Sequence, residues 1–323
     1  MPNILTHNLF AEDVLKEMEM SELSRLIQLY PKEYSIGASG PDFFFYYNVF
    51  PWQRASENKR VAAYGGVVHK ENITVFYEMA IMLCYKEEDE TIKQAMISYL
   101  AGHFCHWALD SNSHPYIFYK TNGTTKETAY WHYRFESMID TLMVIDVKNE
   151  SLKKYPTSKM MEYDAISVKA ITNIYQPILK KLWDIEIDAQ LIEKCLHDFQ
   201  TANRVLFHPN RIFFHFMQGL ETIIGKKWIF TSHMILNEVD YKHDILNRKQ
   251  TTWYNPCDRS LVCKDSFLEL YQKAKDIGIQ ALNAFYRSLE DGNSSELADI
   301  LQNRSYETGL SVQKEMKYYD SIY

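Results

Sequence analysis

Apolar residues recur along this chain at three- and four-residue intervals, the period of a helix with one buried face. The first such run, LFAEDVLKEM, sets Leu9, Phe10, Val14, Leu15 and Met18 on one side; residues 1–7 read as an extended lead-in, with His7 just ahead of the helix. A second helix is capped by Ser21 and stops at Pro31. Gly37, Gly40 and Pro41 mark a turn, and Asp42 then opens a run of aromatics from Phe43 to Trp52. Taken alone, Asp42 is the N-cap of a short helix. Residues 53–70 are polar, then glycine-containing, and end in His69 and Lys70. Helices are predicted over Glu71–Tyr85, over Thr91–Ser113, and, after a loop at 119–126, over the stretch that carries His132 and runs to Val147. Gly102 inside the second of these signals close helix packing. That helix is expected to end near His114, because the residue before a proline disfavours helical backbone. Further on, the pattern predicts helices at Ser158–Trp183, Asp188–Phe207 and Asn210–Gly225, with Pro177 and Pro209 as candidate breaks. An irregular stretch follows Asn237, then a long helix over Ser266–Leu289, a short one from Ser295, and a frayed tail. No segment alternates strongly enough to propose a strand.

Composition supports the same picture. Eleven glycines and nine prolines in 323 residues favour helices with short connections over a sandwich or barrel. The predicted fold class is all-α: a multi-helix bundle with extra C-terminal helices, residues 1–150 forming a metal-binding core and 151–323 a helical part packed on it in one continuous domain. The net charge of −7 without a basic block argues against nucleic acid as a partner. The five cysteines match no zinc ribbon or redox spacing; Cys84, Cys105 and Cys195 fall in apolar helical patterns and read as buried thiols. No signal sequence and no membrane-spanning apolar run are visible, so the chain is expected to be soluble and cytoplasmic. The sequence identifies no amphipathic membrane-docking surface and no partner protein.

Candidate chemistry is concentrated in GHFCHWALDSNSHPY and WHYRFESMID, residues 102–116 and 131–140. His106 and Asp110 are four apart, His114 is four beyond Asp110, and His132 and Glu136 are four apart. Residues so spaced share one helix face, one turn above the other. Two such helices side by side would bring five imidazole and carboxylate ligands together, the donors zinc takes when no thiolate is offered. The bland alternative for either pair is a core histidine hydrogen-bonded to a nearby acid. His103, one turn before His106, reads as a packing residue; His197, His208, His215, His233 and His243 read as structural or surface residues.

In chain order the candidates are His7, Asp42, His69, His106, Asp110, His114, His132 and Glu136. With THNLFA around His7, GASGPDFFFYY around Asp42, GGVVH at His69, GHFCHWALDSNSHPY and HYRFE, this order resembles the bacterial zinc-dependent phospholipase C family across residues 1 to about 145. The resemblance implies an all-helical fold with two or three zinc ions in a cleft. It implies that Asp110 bridges two ions with His7, His69 and His106 completing that pair. His114, His132 and Glu136 would serve the remaining ion, and Asp42 would be both ligand and general base. It also implies a phospholipid or other phosphodiester as substrate, cleaved by metal-activated water. Single-strand-specific zinc nucleases share the fold and cluster, so a nuclease-like phosphodiesterase stays open, as does a non-catalytic zinc protein. Secreted relatives use the processed amino-terminal residue as a zinc ligand; here only six residues precede His7, and whether Pro2 reaches the site is left open. Five neutral imidazoles and three carboxylates carry about −3 against about +6 for three zinc ions, a net positive cleft suited to an anionic diester. Of the aromatics Phe43 to Tyr47, four are expected in the core.

Overall fold

The computed structural model describes residues 4–18, 21–50, 52–123, 129–206, 210–226, 228–235 and 239–322. The molecule is 68% helical, which makes it all-α as the periodicity predicts. Among the described residues the helices are α1 (Ile4–Glu17), α2 (Glu22–Leu29), α3 (Pro31–Gly37), α4 (Ala55–Lys70), α5 (Ile73–Lys86), α6 (Glu90–Thr121), α7 (Ala129–Leu142), α8 (Thr157–Met160), α9 (Ala165–Trp183), α10 (Ala189–Leu206), α11 (Arg211–Ile224), α12 (Phe267–Asp291) and α13 (Ser295–Leu301). Short 3₁₀ turns, including Asp42–Tyr46, and a π turn at Met143–Val147 complete the helical structure.

Helix α6 is the axis, with α3, α9 and α12 packed around it. The approach of α3 is possible because glycine faces glycine: a Cβ at Gly102 would lie 2.1 Å from the Tyr34 carbonyl oxygen, and one at Gly37 2.1 Å from that of Tyr99. The packing signal read at Gly102 is therefore real, and it brings the α3–Asp42 segment against the His106 face of α6. One apolar core runs through both halves of the chain, from Ile4 to Tyr306.

Several boundaries differ from the sequence reading, each for a physical reason. Helix α1 begins at Ile4, so His7 sits in its first turn and not ahead of it. Its free N–H groups are capped from α7: the Asp140 carboxylate accepts from Leu5 N at 3.2 Å and from Thr6 N and Oγ1 at 2.9 and 2.5 Å, a cap that no local pattern announces. Pro31 opens α3, at the first helical position where its missing N–H costs nothing. Residues 55–70 form α4, with Val61, Tyr64 and Val68 inward, and His69 lies in its last turn. Helices α6 and α9 run straight through Pro115 and Pro177. A hairpin that the sequence did not show pairs β1 (Trp253–Asn255) with β2 (Asp258–Cys263), bulged between Tyr254 and Asn255. The tail is not frayed: Arg304 O accepts from Trp107 Nε1 at 3.0 Å, and Asp320 N donates to Tyr119 O at 2.9 Å. Phe207, His208 and Pro209 lie outside the described residues. Cys84, Cys105 and Cys195 are free and buried, as expected.

Candidate metal centre

Five elements bring all eight sequence candidates together. Helix α6 supplies His106, Asp110 and His114 from successive turns, α1 supplies His7, the 3₁₀ turn Asp42, the end of α4 His69, and α7 His132 and Glu136. All eight are buried. Asp110 is central: its Oδ1 lies 3.2 Å from His7 Nε2, and its Oδ2 lies 3.2 Å from His106 Nε2 and 3.7 Å from His114 Nδ1. Asp42 Oδ1 lies 3.2 Å from His69 Nε2 and 3.7 Å from His106 Nε2. Two groups, His7–His106–Asp110 and Asp42–His69–His106, thus have donor atoms within 4.8 Å of one another and could each hold a metal ion. A looser third set places Glu136 Oε1 2.9 Å from His132 Nε2 and 3.8 Å from His114 Nε2.

The far ring nitrogens decide what the near ones can do. His69 Nδ1 lies 2.7 Å from Gly65 O, His106 Nδ1 3.2 Å from Ala38 O, and His114 Nδ1 2.8 Å from Tyr306 O. A carbonyl only accepts, so each Nδ1 carries the proton. Thr121 Oγ1 donates to Ile117 O and receives His132 Nδ1 at 2.9 Å, with the same consequence. In the neutral ring Nε2 is then a lone pair, and the four Nε2 atoms turn toward the carboxylates of Asp42, Asp110 and Glu136. This is the outer arrangement that orients metal-binding histidines.

Burial holds His106 and His132 well below the usual histidine range and His114 at about 3. Burial also works against charge on Asp110, but positive charge at His114, His106 and His7 outweighs it and holds that carboxyl low; with those rings neutral, a bound cation would have to supply that charge. His69 goes the other way: burial lowers it, yet the hydrogen bond and charge of Asp42 leave it raised, while burial raises Asp42 in turn. Both oxygens of Asp110, Asp42 Oδ1, His114 Nε2 and both ring nitrogens of His7 are buried without a hydrogen-bond partner. Such atoms are costly when orphaned. Imidazole lone pairs facing carboxylates repel unless a cation lies between them, so the donor set fits bound zinc.

The outer shell includes residues that the sequence reading missed. Pro115 removes the N–H that Ser111 O would receive, and Gly309 closes over that carbonyl: a Cβ there would lie 2.4 Å from it, at φ +65°. This seats the segment Ser305–Gly309 against the centre. Tyr306 N donates to His69 O at 3.0 Å, its carbonyl holds His114 as above, and its hydroxyl lies 3.0 Å from that of Tyr77. A local signal existed only at Pro115; its partner is nearly two hundred residues on. His103 is no candidate ligand, since its ring nitrogens meet the Tyr77 and Tyr175 hydroxyls at 2.7 and 3.0 Å.

A cavity of about 460 Å³ opens onto Asp42, His69, His114, His132 and Glu136. His7, His106 and Asp110 lie deeper. Phe45, Tyr46, Tyr133 and Phe199 form apolar walls, so two of the early aromatics line the cavity, while Phe43 and Phe44 pack in the core. His233, read as structural or surface, is a wall residue against the Tyr133 ring at 4.5 Å. His197 and His215 stand away from the centre, and His243 pairs with Asp240 at 2.6 Å. Pro2 lies outside the described residues.

The profile of a protein family described as zinc dependent phospholipase C matches residues 6–188, more than half of the chain and all eight of these side chains. No curated protein and no solved structure matches. The donor geometry and the extent of that match lead to one assignment: the chain belongs to the zinc-dependent phospholipase C family.

Proposed function

We propose that this protein is a zinc-dependent hydrolase of phospholipids that breaks the bond between phosphorus and the glycerol oxygen, leaving diacylglycerol and a phosphorylated headgroup. The observation that carries the reading is the convergence of orphaned buried donors at the floor of a cavity with aromatic walls. His7, His69, His106, His114, His132, Asp42, Asp110 and Glu136 would hold two or three zinc ions, with Asp110 shared between two. Zinc, when bound, supplies positive charge for the phosphoryl oxygens and acidifies the attacking water. Asp42 faces the cavity and would accept the proton of that water as general base. The water oxygen joins phosphorus as the glycerol oxygen departs with the electron pair of its bond and takes up a proton from solvent, which gives the free hydroxyl of diacylglycerol. Phe45, Tyr46 and Phe199 pack against the apolar part of the substrate and exclude bulk water.

The test offers zinc-loaded protein a phospholipid panel, a soluble phosphodiester and single-stranded DNA, in wild type and Asp42→Asn. Cleavage of lipid and soluble diester, reduced about 10²–10⁴-fold in the variant with zinc retained, supports the reading. Cleavage of DNA alone would move the protein to a nuclease role, and no turnover of any substrate by fully loaded protein would refute hydrolysis.

A further inference from the structure

Helix α11 is apolar on two sides. Its solvent side carries Ile212, Phe216 and Ile223, which are 77%, 60% and 83% exposed and fall within about 40° of one another around the axis. Ile224 adds to the same exposed surface. Its inner side carries Phe214, packed with Met234, and a carboxylate, Glu221. The helix is not free to roll over and hide its apolar face. Glu221 accepts from the backbone N–H groups of Phe230 and Thr231, both at 2.7 Å, and from Thr231 Oγ1. That locks α11 to the turn that carries His233, a wall of the cavity, and the turn is held to α7 by Ser137 Oγ donating to Ser232 O at 2.7 Å. An apolar patch of this kind marks an interaction surface.

Two observations identify what covers it. First, the cavity has exposed apolar side chains of its own beside it: Val49, a wall residue, is 43% exposed, and Trp52, three residues on and stacked on Phe50, is 79% exposed. Second, charge is inverted here. The chain has 42 acidic and 35 basic residues, but residues 199–237 hold one acid, the bonded Glu221, against Arg204, Arg211, Lys226 and Lys227. An exposed apolar stripe flanked by cations, on a helix whose one acid is buried, is the pattern of a helix lying in a lipid interface. We infer that α11 docks on a phospholipid bilayer, inserting Ile212, Phe216 and Ile223, with Arg204 and Lys226 among the phosphates. The cavity mouth is then held at the headgroup layer. This extends the proposed phospholipid reading, but binding itself needs no turnover.

The test is flotation of the zinc-loaded full chain with phosphatidylcholine vesicles, with and without an anionic phospholipid, alongside sedimentation analysis of the protein alone. Wild type is expected to float, more strongly with anionic lipid. The triple variant Ile212→Ser, Phe216→Ser, Ile223→Ser should partition at least about 30-fold more weakly, from the apolar area lost, with unchanged far-UV circular dichroism and unchanged hydrolysis of a soluble diester. Lys226→Gln should lose only part of the anionic preference. Wild type that fails to float, or a triple variant that floats equally well, overturns the inference. So does a wild-type dimer, dispersed by the triple variant, that binds no vesicle: a second copy is then the occupant. Flotation without turnover would keep the docking surface and refute the phospholipase reading; turnover of soluble diester without flotation does the reverse.

Discussion

Helix α6 buries His103, His106, Asp110 and His114 in an apolar core, and helix α11 exposes Ile212, Phe216 and Ile223 to solvent while burying Glu221. Both invert the usual sorting of polar and apolar side chains, but what each leaves unsatisfied differs. In α6 the unsatisfied groups are lone pairs and carboxylate oxygens gathered in one place. In α11 the buried acid is fully bonded, and the unsatisfied element is apolar surface. The first deficit is met by cations, the second by an apolar medium. His103 is the control within α6: equally buried, but with both ring nitrogens bonded to tyrosines, it implies no ligand.

The sharpest way to break this comparison is Asp110→Ala. In zinc-replete medium it is expected to lose more than one ion by elemental analysis and to lower the Tm by about 10 °C, at ~2.7 kcal/mol per lost ion under 100-fold saturation. In chelator the same change should cost less, because only its contacts with the surrounding imidazoles go and no ion is lost with them. Equal destabilisation in both media would make Asp110 a packing residue. Gly309→Val comes next. Its Cβ would strike the Ser111 carbonyl at positive φ, costing about 1–3 kcal/mol. By displacing the Tyr306 carbonyl from His114, it should weaken zinc about 10–100-fold in chelator competition. Unchanged affinity would detach the tail from the centre.

A smaller effect is expected with pH. Burial holds His103 at about 3 and His233 at about 4. The unfolded chain takes up these protons below about 6.5, while the fold does not until the lower values. Stability should therefore fall as pH drops from about 6.5 toward 4, with a limiting slope of ~1.4 kcal/mol per pH unit for each histidine. Chelator-treated His233→Asn should show a flatter Tm profile in that window, and an unchanged profile would refute its neutral burial. The smallest effect is Ile212→Ser, within about 0.5 kcal/mol in denaturant melts. A loss as large as that of a buried leucine, about 2–5 kcal/mol, would mean that the Ile212 face of α11 also packs against the protein.

Helical period and ligand spacing are local properties, and they were readable. The all-α class, the packing role of Gly102 and the face shared by His106, Asp110 and His114 follow from intervals of three and four along one backbone. The arrangement of eight candidates in order could be seen for the same reason, through the motifs around them. The elements under His7 and His69 were misplaced because their evidence is remote. The start of α1 is capped by Asp140, and the polar length of α4 gains its helix from packing that no window of its own sequence contains.

By itself, then, the sequence determined that the chain would form amphipathic helices and which side chains could serve as donors, since periodicity and residue chemistry act within a turn or two. Tertiary structure alone decided the rest. It carried α6 through Pro115 by laying Gly309 over the freed carbonyl, and it set the tautomers of His106 and His114 through the distant carbonyls of Ala38 and Tyr306. It also turned the apolar face of α11 outward by anchoring Glu221 to the turn at Thr231. The physical reason is common to all three: hydrogen bonds and steric contacts to remote segments together outweigh a local preference of about 1–3 kcal/mol, and the partners become known only once the chain has folded.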